Sequence, residues 1–260
     1  MSAGGAAAGR GLLRDYSRQA PSYDETRGAS ASVTAALEVA LAGAPGPALA
    51  DIGGGTGNYA LALRERGWKP LVIDRAPEML ARARDKGLDT LLADATALPL
   101  EAASFDAAML VSMLHHVDDR PAAIEEAKRV LRPAGRLVIK MYTREDIEGA
   151  WVLDYFPASR PWMLETHPTA TAFGELLPGM EMRTLRFTDL ADASMAALSS
   201  HPKLLLEQRW RRQTSYFERL EREHPEDLAA GLARLQRDVA AGRPPAGGGT
   251  ATVIAWTKPA

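Results

Sequence analysis

Residues 51–57 read Asp-Ile-Gly-Gly-Gly-Thr-Gly, between a short apolar run and an amphipathic stretch. Glycines at positions such as Gly53, Gly55 and Gly57 let a chain turn tightly and bring backbone N–H groups against a ligand. A P-loop needs Lys followed by Ser or Thr after its last glycine, and Asn58-Tyr59 stand there instead. A dinucleotide fingerprint, G-x-G-x-x-G, would put its third glycine on Asn58. What remains is G-x-G-x-G with Asp51 two residues ahead of it. Two more acids, Asp74 and Asp94, close the next two apolar runs. One carboxylate offers two oxygens, which suits a pair of neighbouring O–H donors. Farther on, His115 and His116 follow a fourth apolar run. A neutral imidazole there can accept a proton near pH 7.

Positioning these groups takes a particular order of elements. Apolar runs at 47–52, 69–74, 87–93, 105–111 and 136–142 read as strands. Amphipathic stretches at 58–66, 77–86 and 120–132 read as the helices between them. The last is capped by Asp118 or Asp119, with Pro121 in its first turn. Such alternation predicts βαβ units and a parallel sheet with both faces covered. Right-handed crossovers make it an open, doubly wound sheet, with its ligand beyond the carboxyl ends of the strands.

After Tyr142 the pattern changes. Residues 143–180 are rich in proline and aromatics, and 190–242 are helical and charged, interrupted by Pro202 and Pro225. Strand-like runs fall at 182–188 and 250–256. We therefore expect an N-terminal tail and lid segment over 1–28. A single domain follows over 29–260, with substrate-side helical inserts at about 143–180 and 190–245.

The 260 residues carry 31 Lys+Arg against 33 Asp+Glu, a net charge of −2. No strong field draws such a chain to nucleic acid or an anionic membrane. Cysteine is absent, which removes disulfides, Cys-ligated zinc and a Cys nucleophile, and fits a reducing cytoplasm. No apolar run reaches membrane-spanning length. The Ala/Gly-rich start, 1–11, lacks the pattern of a secretory signal and reads as a loose tail. No metal site is expected, and the expected state is a monomer or homodimer.

Asp51-x-Gly53-x-Gly55-x-Gly57 resembles the first motif of the class I S-adenosylmethionine (SAM) dependent methyltransferases. The resemblance spans about residues 45–142. Ser104–Val117 and Glu126–Leu137 are similar to the subfamily that holds ubiquinone and menaquinone C-methyltransferases and many natural-product enzymes (methyltransferase type 11). One departure is Ala134, where glycine is common. The resemblance implies a Rossmann-like seven-stranded α/β sheet, mostly parallel, with Thr250–Trp256 antiparallel beside the fifth strand. It implies Asp74 on the ribose hydroxyls, Asp94 on the adenine amino group and the Ala95 N–H near the ring. Asp51 would face the methionine end, and Met79 the adenine face. Arg75, Val111 and His116 complete the cofactor positions. Tyr16, Tyr23 and Arg27 resemble a lid segment that folds over the methionine and could hold its carboxylate.

Methyl transfer from a sulfonium mainly demands alignment, with a base only where the nucleophile arrives protonated. His115 and His116 are the candidates, and adjacent residues of a helical turn point about 100° apart, so only one of them can face the methyl group. His167, His201 and His224 each precede proline and read as turn residues. An Asn/Asp-Pro-Pro-Tyr/Phe stretch, a mark of nucleic-acid amino-methyltransferases, is replaced by Val111-Ser112-Met113-Leu114. The expected acceptor is a small organic molecule, methylated on carbon, nitrogen or oxygen. Trp151, Tyr155, Phe156 and Trp162 are candidates to line its site. The competing reading is a SAM-binding fold with a non-methylating role, cyclase-like or regulatory.

Overall fold

A computed structural model describes residues 24, 27–247 and 249–260. The apolar runs become strands close to their expected bounds. They are β1 (Ala48–Ile52), β2 (Lys69–Asp74), β3 (Asp89–Leu92), β4 (Phe105–Val111), β5 (Leu131–Met141), β6 (Glu181–Arg186) and β7 (Thr250–Thr257). They form one sheet in the order β3-β2-β1-β4-β5-β7-β6. The first five run parallel, and β7 lies antiparallel between β5 and β6, with Leu137 opposite Trp256 and Ile139 opposite Ile254.

Side chains alternate across a strand, so neighbouring residues feed opposite layers. Leu110 and Ile139 pack on one face, with Ile124 and Ala127 of α4 (Arg120–Val130). Met109 and Val138 pack on the other, with Val33 and Leu37 of α1 (Ala31–Leu41). Helices α2 (Asn58–Arg64) and α3 (Pro77–Asp85) cover the β1–β3 end. The order of strands reverses between β1 and β4, which opens a crevice at their carboxyl ends. The Asp119 carboxylate accepts from the Ala122 N–H at 2.9 Å, fixing the start of α4 just after the turn that carries the paired histidines.

Beyond β5 the chain forms α5 (Arg144–Glu148), α6 (Val152–Tyr155), α7 (Arg160–Thr166) and α8 (Ala170–Leu176). Between β6 and β7 lie α9 (Met195–Ser199), α10 (Gln208–Arg211), α11 (Ser215–Glu223) and α12 (Pro225–Ala240). The prolines at 202 and 225 open new helical segments, as their missing N–H requires. The two inserts share a core of their own, including Leu153, Phe156, Phe217, Leu220 and Leu235. There α12 passes so close to α6 that a Cβ at Gly231 would meet the Tyr155 carbonyl oxygen. No helix among the described residues is long and apolar enough to cross a membrane.

The turn into β5 explains the departure at Ala134. Phe105 pairs with Leu131 and Ala107 with Arg136, so residues 132–135 bulge out of register. Ala134 sits at φ 62°, and its N–H donates to the Lys258 carbonyl at 3.0 Å. The turn therefore holds alanine in the left-handed region that glycine enters freely. Ala134→Gly should stabilise the fold by about 0.5–1 kcal/mol, the relief of that strain less the entropy that glycine adds to the unfolded chain. Urea denaturation measures it, and a loss of stability would show that the methyl group contributes more than the strain costs.

Candidate functional site

The glycine loop is pinned to the end of β2. The Gly53 and Gly54 N–H groups both donate to the Ile73 carbonyl, at 2.7 and 3.1 Å. The Gly55 N–H donates to Asp74 Oδ2 at 2.9 Å, and the Ala76 N–H to Asp74 Oδ1 at 2.9 Å. Gly53, Gly55 and Gly57 take φ values of 71°, 57° and 74°. Their reasons differ. A Cβ at Gly53 would strike Met113, and one at Gly57 would strike Leu88. A Cβ at Gly55 would meet nothing within 4 Å and would intrude on the cleft that Gly55 lines. Gly57 does not line that cleft. It caps the start of α2.

The cleft holds about 330 Å³. Of the residues expected at a cofactor, Asp51, Gly53, Gly55, Asp74, Arg75, Met79, Asp94, Ala95, Val111, His116 and Arg27 line it. Tyr16 and Tyr23 lie outside the described residues. Each Asp74 oxygen already accepts one backbone N–H, and a carboxylate oxygen has a second lone pair to offer. Burial raises the Asp74 carboxyl, opposed by those backbone donors. Asp94 Oδ1 accepts from the Thr96 N–H at 2.8 Å and hydroxyl at 2.7 Å, bonds that lower its carboxyl below the usual range.

Asp51 is the unusual member. It is 2% exposed, and no hydrogen-bond donor reaches its carboxylate among the described residues. Burial, with the Asp74 charge adding to it, pushes the Asp51 carboxyl up to about 8. A buried acid without a donor, facing a cleft, suits a cationic ligand group that restores its ionised form. The chemistry of this donor set fits SAM, which carries a hydroxyl pair, an amino group and an ammonium, and the open face of Gly55 leaves room for close approach.

One wall of the cleft comes from distant segments that sequence reading missed. Arg27 Nη1 pairs with Asp192 Oδ1 at 2.9 Å, and Nη2 donates to the Gln213 carbonyl at 3.2 Å. The Tyr59 hydroxyl donates to Asp192 Oδ2 at 3.0 Å. Arg27, Tyr59 and Asp192 all line the cleft. Asp192 thus answers the guanidinium that was expected to meet a carboxylate of the ligand. The Asn58 amide donates to the Arg27 carbonyl at 2.6 Å and to Asp24 Oδ1 at 2.9 Å. Asp24 also pairs with Lys86 at 2.8 Å. Burial would raise the Asp24 carboxyl, but the bonds from Lys86, Thr56 and Asn58 hold it below the usual range.

His116 lines the cleft, its ring centroid 3.8 Å from that of His115, and the His115 ring lies 6.3 Å from that of His167. His167 is more than a turn residue. It is buried, its Nδ1 lies 2.7 Å from the Met163 carbonyl, and burial lowers its basicity. The four aromatics expected at an acceptor do not line the cleft. Trp151 donates to the Ser199 carbonyl at 3.1 Å, the Tyr155 hydroxyl donates to Asp238, Phe156 packs edge-on against Phe217, and Trp162 lies against Tyr216. They form the core of the inserts. Apolar mass in an insert goes first to holding the insert together.

The raised Asp51 carboxyl carries a stability signature. Between about 4 and 8 the unfolded chain has this acid ionised while the folded chain keeps its proton, so Asp51 costs stability progressively as pH rises. Asp51→Asn should therefore gain in melting temperature over the wild type as pH climbs through that window and level off above about pH 8. Thermal melts across pH measure the difference, and a constant offset would show that Asp51 ionises normally in the fold.

Comparison with known proteins bears on this cradle. A family model described as a methyltransferase domain matches residues 50–139. The malonyl-[acyl-carrier protein] O-methyltransferase of Serratia marcescens is 33% identical over 141 residues, covering 52% of this chain and 55% of that protein. The demethylmenaquinone methyltransferase of Thermus thermophilus is 43% identical over 112 residues, covering 40% and 50%. The chain spans about half the length of these curated relatives. Among solved structures, a protein of Anabaena variabilis named for a methyltransferase of an antibiotic biosynthesis pathway superposes with a TM-score of 0.72. It is 23% identical and covers 89% of this chain and 99% of its own, a likeness of fold. Residues 50–139, then, match a methyltransferase domain, and the sheet around them has the fold of the Anabaena protein.

Proposed function

We propose that this protein transfers a methyl group from SAM to a small organic acceptor, in secondary or cofactor metabolism. The observation that carries the reading is the cradle itself. Acids at the ends of three successive strands, Asp51, Asp74 and Asp94, line one cleft with the open face of Gly55. In this reading Asp74 holds the two ribose hydroxyls, Asp94 and the Ala95 N–H meet the adenine edge, and Met79 packs on the ring. Asp51 faces the ammonium. Arg75 and Val111 border the nucleoside, and the segment before α1, with Tyr16, Tyr23 and Arg27, acts as a lid. The absence of cysteine supports a reducing compartment.

The donor's sulfonium already carries its leaving group. What the chain supplies is alignment, exclusion of water and, where the acceptor is protonated, a place for the proton. We assign that last task to His116, a reading supported by its lining the cleft.

Asp74→Ala should weaken SAM binding roughly 10- to 150-fold, the loss of one or two charge-assisted bonds. It also frees the Gly55 and Ala76 N–H groups, so the loop should loosen and the fold lose some stability. Calorimetry with SAM and a thermal melt read the two effects separately, and unchanged affinity would remove Asp74 from the ribose.

For the paired histidines, His116→Ala should leave SAM affinity nearly normal and lower kcat by about 10²–10⁴ for an acceptor that must lose a proton. His115→Ala should have a much smaller effect. Formation of S-adenosylhomocysteine (SAH) from labelled SAM, screened over an acceptor library, provides the assay. Full activity of His116→Ala on every acceptor would mean that alignment alone sets the rate.

A further inference from the structure

Lys140 plays no part in the cradle, yet it is among the largest fully buried side chains, 1% exposed on β5. Its Nζ donates to Ser112 Oγ at 2.8 Å and lies over the rings of Tyr142 and Phe187 at 5.4 and 5.1 Å. The charged groups around it are Asp192, Arg27 and Asp146. Both carboxylates already have donors, Asp192 from Arg27 and Tyr59, and Asp146 from Thr143, Thr250 and Thr252. Neither pairs with Lys140 within ion-pair distance among the described residues. A buried ammonium without a contacting counter-charge is costly, and its field extends to whatever its hydrogen-bond partner touches.

That partner is strained. Ser112 follows β4 at φ 54°, a conformation that disfavours any side chain, and it lines the cleft beside Met113 and His116. Its N–H donates to the Lys140 carbonyl at 2.7 Å, so backbone and side chain both tie it to β5. Strain of this kind persists where the surroundings impose it, and it recurs at working sites. A hydroxyl that accepts from an ammonium still has its own proton to donate.

We propose that Ser112 and Lys140 form an oxyanion-holding pair, in which the Ser112 hydroxyl donates to an anionic oxygen of the methyl acceptor and Lys140 reinforces that bond from behind. The acceptors are compounds with an acidic hydroxyl, a phenol or a stabilised enol, methylated at that oxygen or at the carbon it activates. The acceptor loses its hydroxyl proton to His116. Its freed electron pair then forms the new bond to the methyl carbon as the carbon–sulfur bond breaks, leaving the pair on a neutral sulfide. Lys140 is a positioning residue here, and its burial, which lowers its basicity to about 8, leaves it largely protonated at neutral pH. The inference rests on the methyl-transfer reading above.

The test uses 4-nitrophenol as a probe, because its phenolate is coloured. The full chain saturated with SAH is titrated with the probe across pH, and the bound probe's ionisation is followed by absorbance. Wild type should lower the probe's apparent pKa by about one unit, a tenfold preference for the anion. Lys140→Met should abolish the shift while SAH affinity holds. Ser112→Gly removes the hydroxyl, and relief of the strained φ offsets part of the cost of taking the acceptor from Lys140; the folded variant, checked by a thermal melt, should also lose the shift. It decides the matter if Lys140→Met fails to fold. An unchanged shift in Ser112→Gly, or wild type that binds SAH but not the phenolate, overturns the oxyanion pair alone. Failure of wild type to bind SAH overturns the methyl-transfer reading instead.

Discussion

Everything at the carboxyl edge of the sheet depends on how the chain leaves β1 and returns under β2. Two successive amides, Gly53 and Gly54, share the Ile73 carbonyl, and the third, Gly55, takes an oxygen of Asp74. Three donors are thus settled within three residues, which only a chain free to adopt positive φ can do. The consequence is mutual. Asp74 is held rigid by the loop it holds, so its remaining lone pairs have a fixed direction. Asp51, directly before the loop, is sealed beneath it without a donor of its own. Pre-organisation of this kind removes the cost of ordering the groups when a ligand arrives.

The same residues explain how much could be read from the sequence. The five parallel strands and the acids at strand ends were legible because each is a local pattern: a run length, a glycine spacing, an acid at a run's end. The antiparallel setting of β7 came from the family resemblance, since a run length does not give direction. What stayed hidden depends on partners far apart in the chain. Arg27 meets Asp192 across 165 positions, and Asp24 meets Asn58 across 34. No periodicity marks such pairs. Asn58 was visible as the residue that broke a fingerprint, but its bonds to Arg27 and Asp24 needed the fold.

Gly57 and the aromatics of the first insert were read from motif and residue type, and type does not reveal which side of an element faces solvent, ligand or core. A Cβ at Gly57 would strike Leu88. The aromatics Trp151, Tyr155, Phe156 and Trp162 are large because helices of four to sixteen residues bury little surface individually and need bulky contacts to cohere. Lys140 was hidden in the opposite way. A lysine in an apolar strand reads as an exception to be passed over, and only its burial gives it meaning.

The wall formed by Arg27, Tyr59 and Asp192 carries a consequence for how such a protein can change. The matched domain ends at residue 139, yet its cleft is closed by one residue ahead of it and another more than fifty residues past it. The inserts keep a separate core, so most of their sequence can drift without disturbing the glycine loop. Asp192 is the point where that freedom stops, because it answers both Arg27 and Tyr59. A chimera that exchanges the inserts between relatives would stay coherent only if the incoming segment brought an acid to this junction. Exchange of the inserts is in this sense modular, with the Asp192 carboxylate as a coupling between modules.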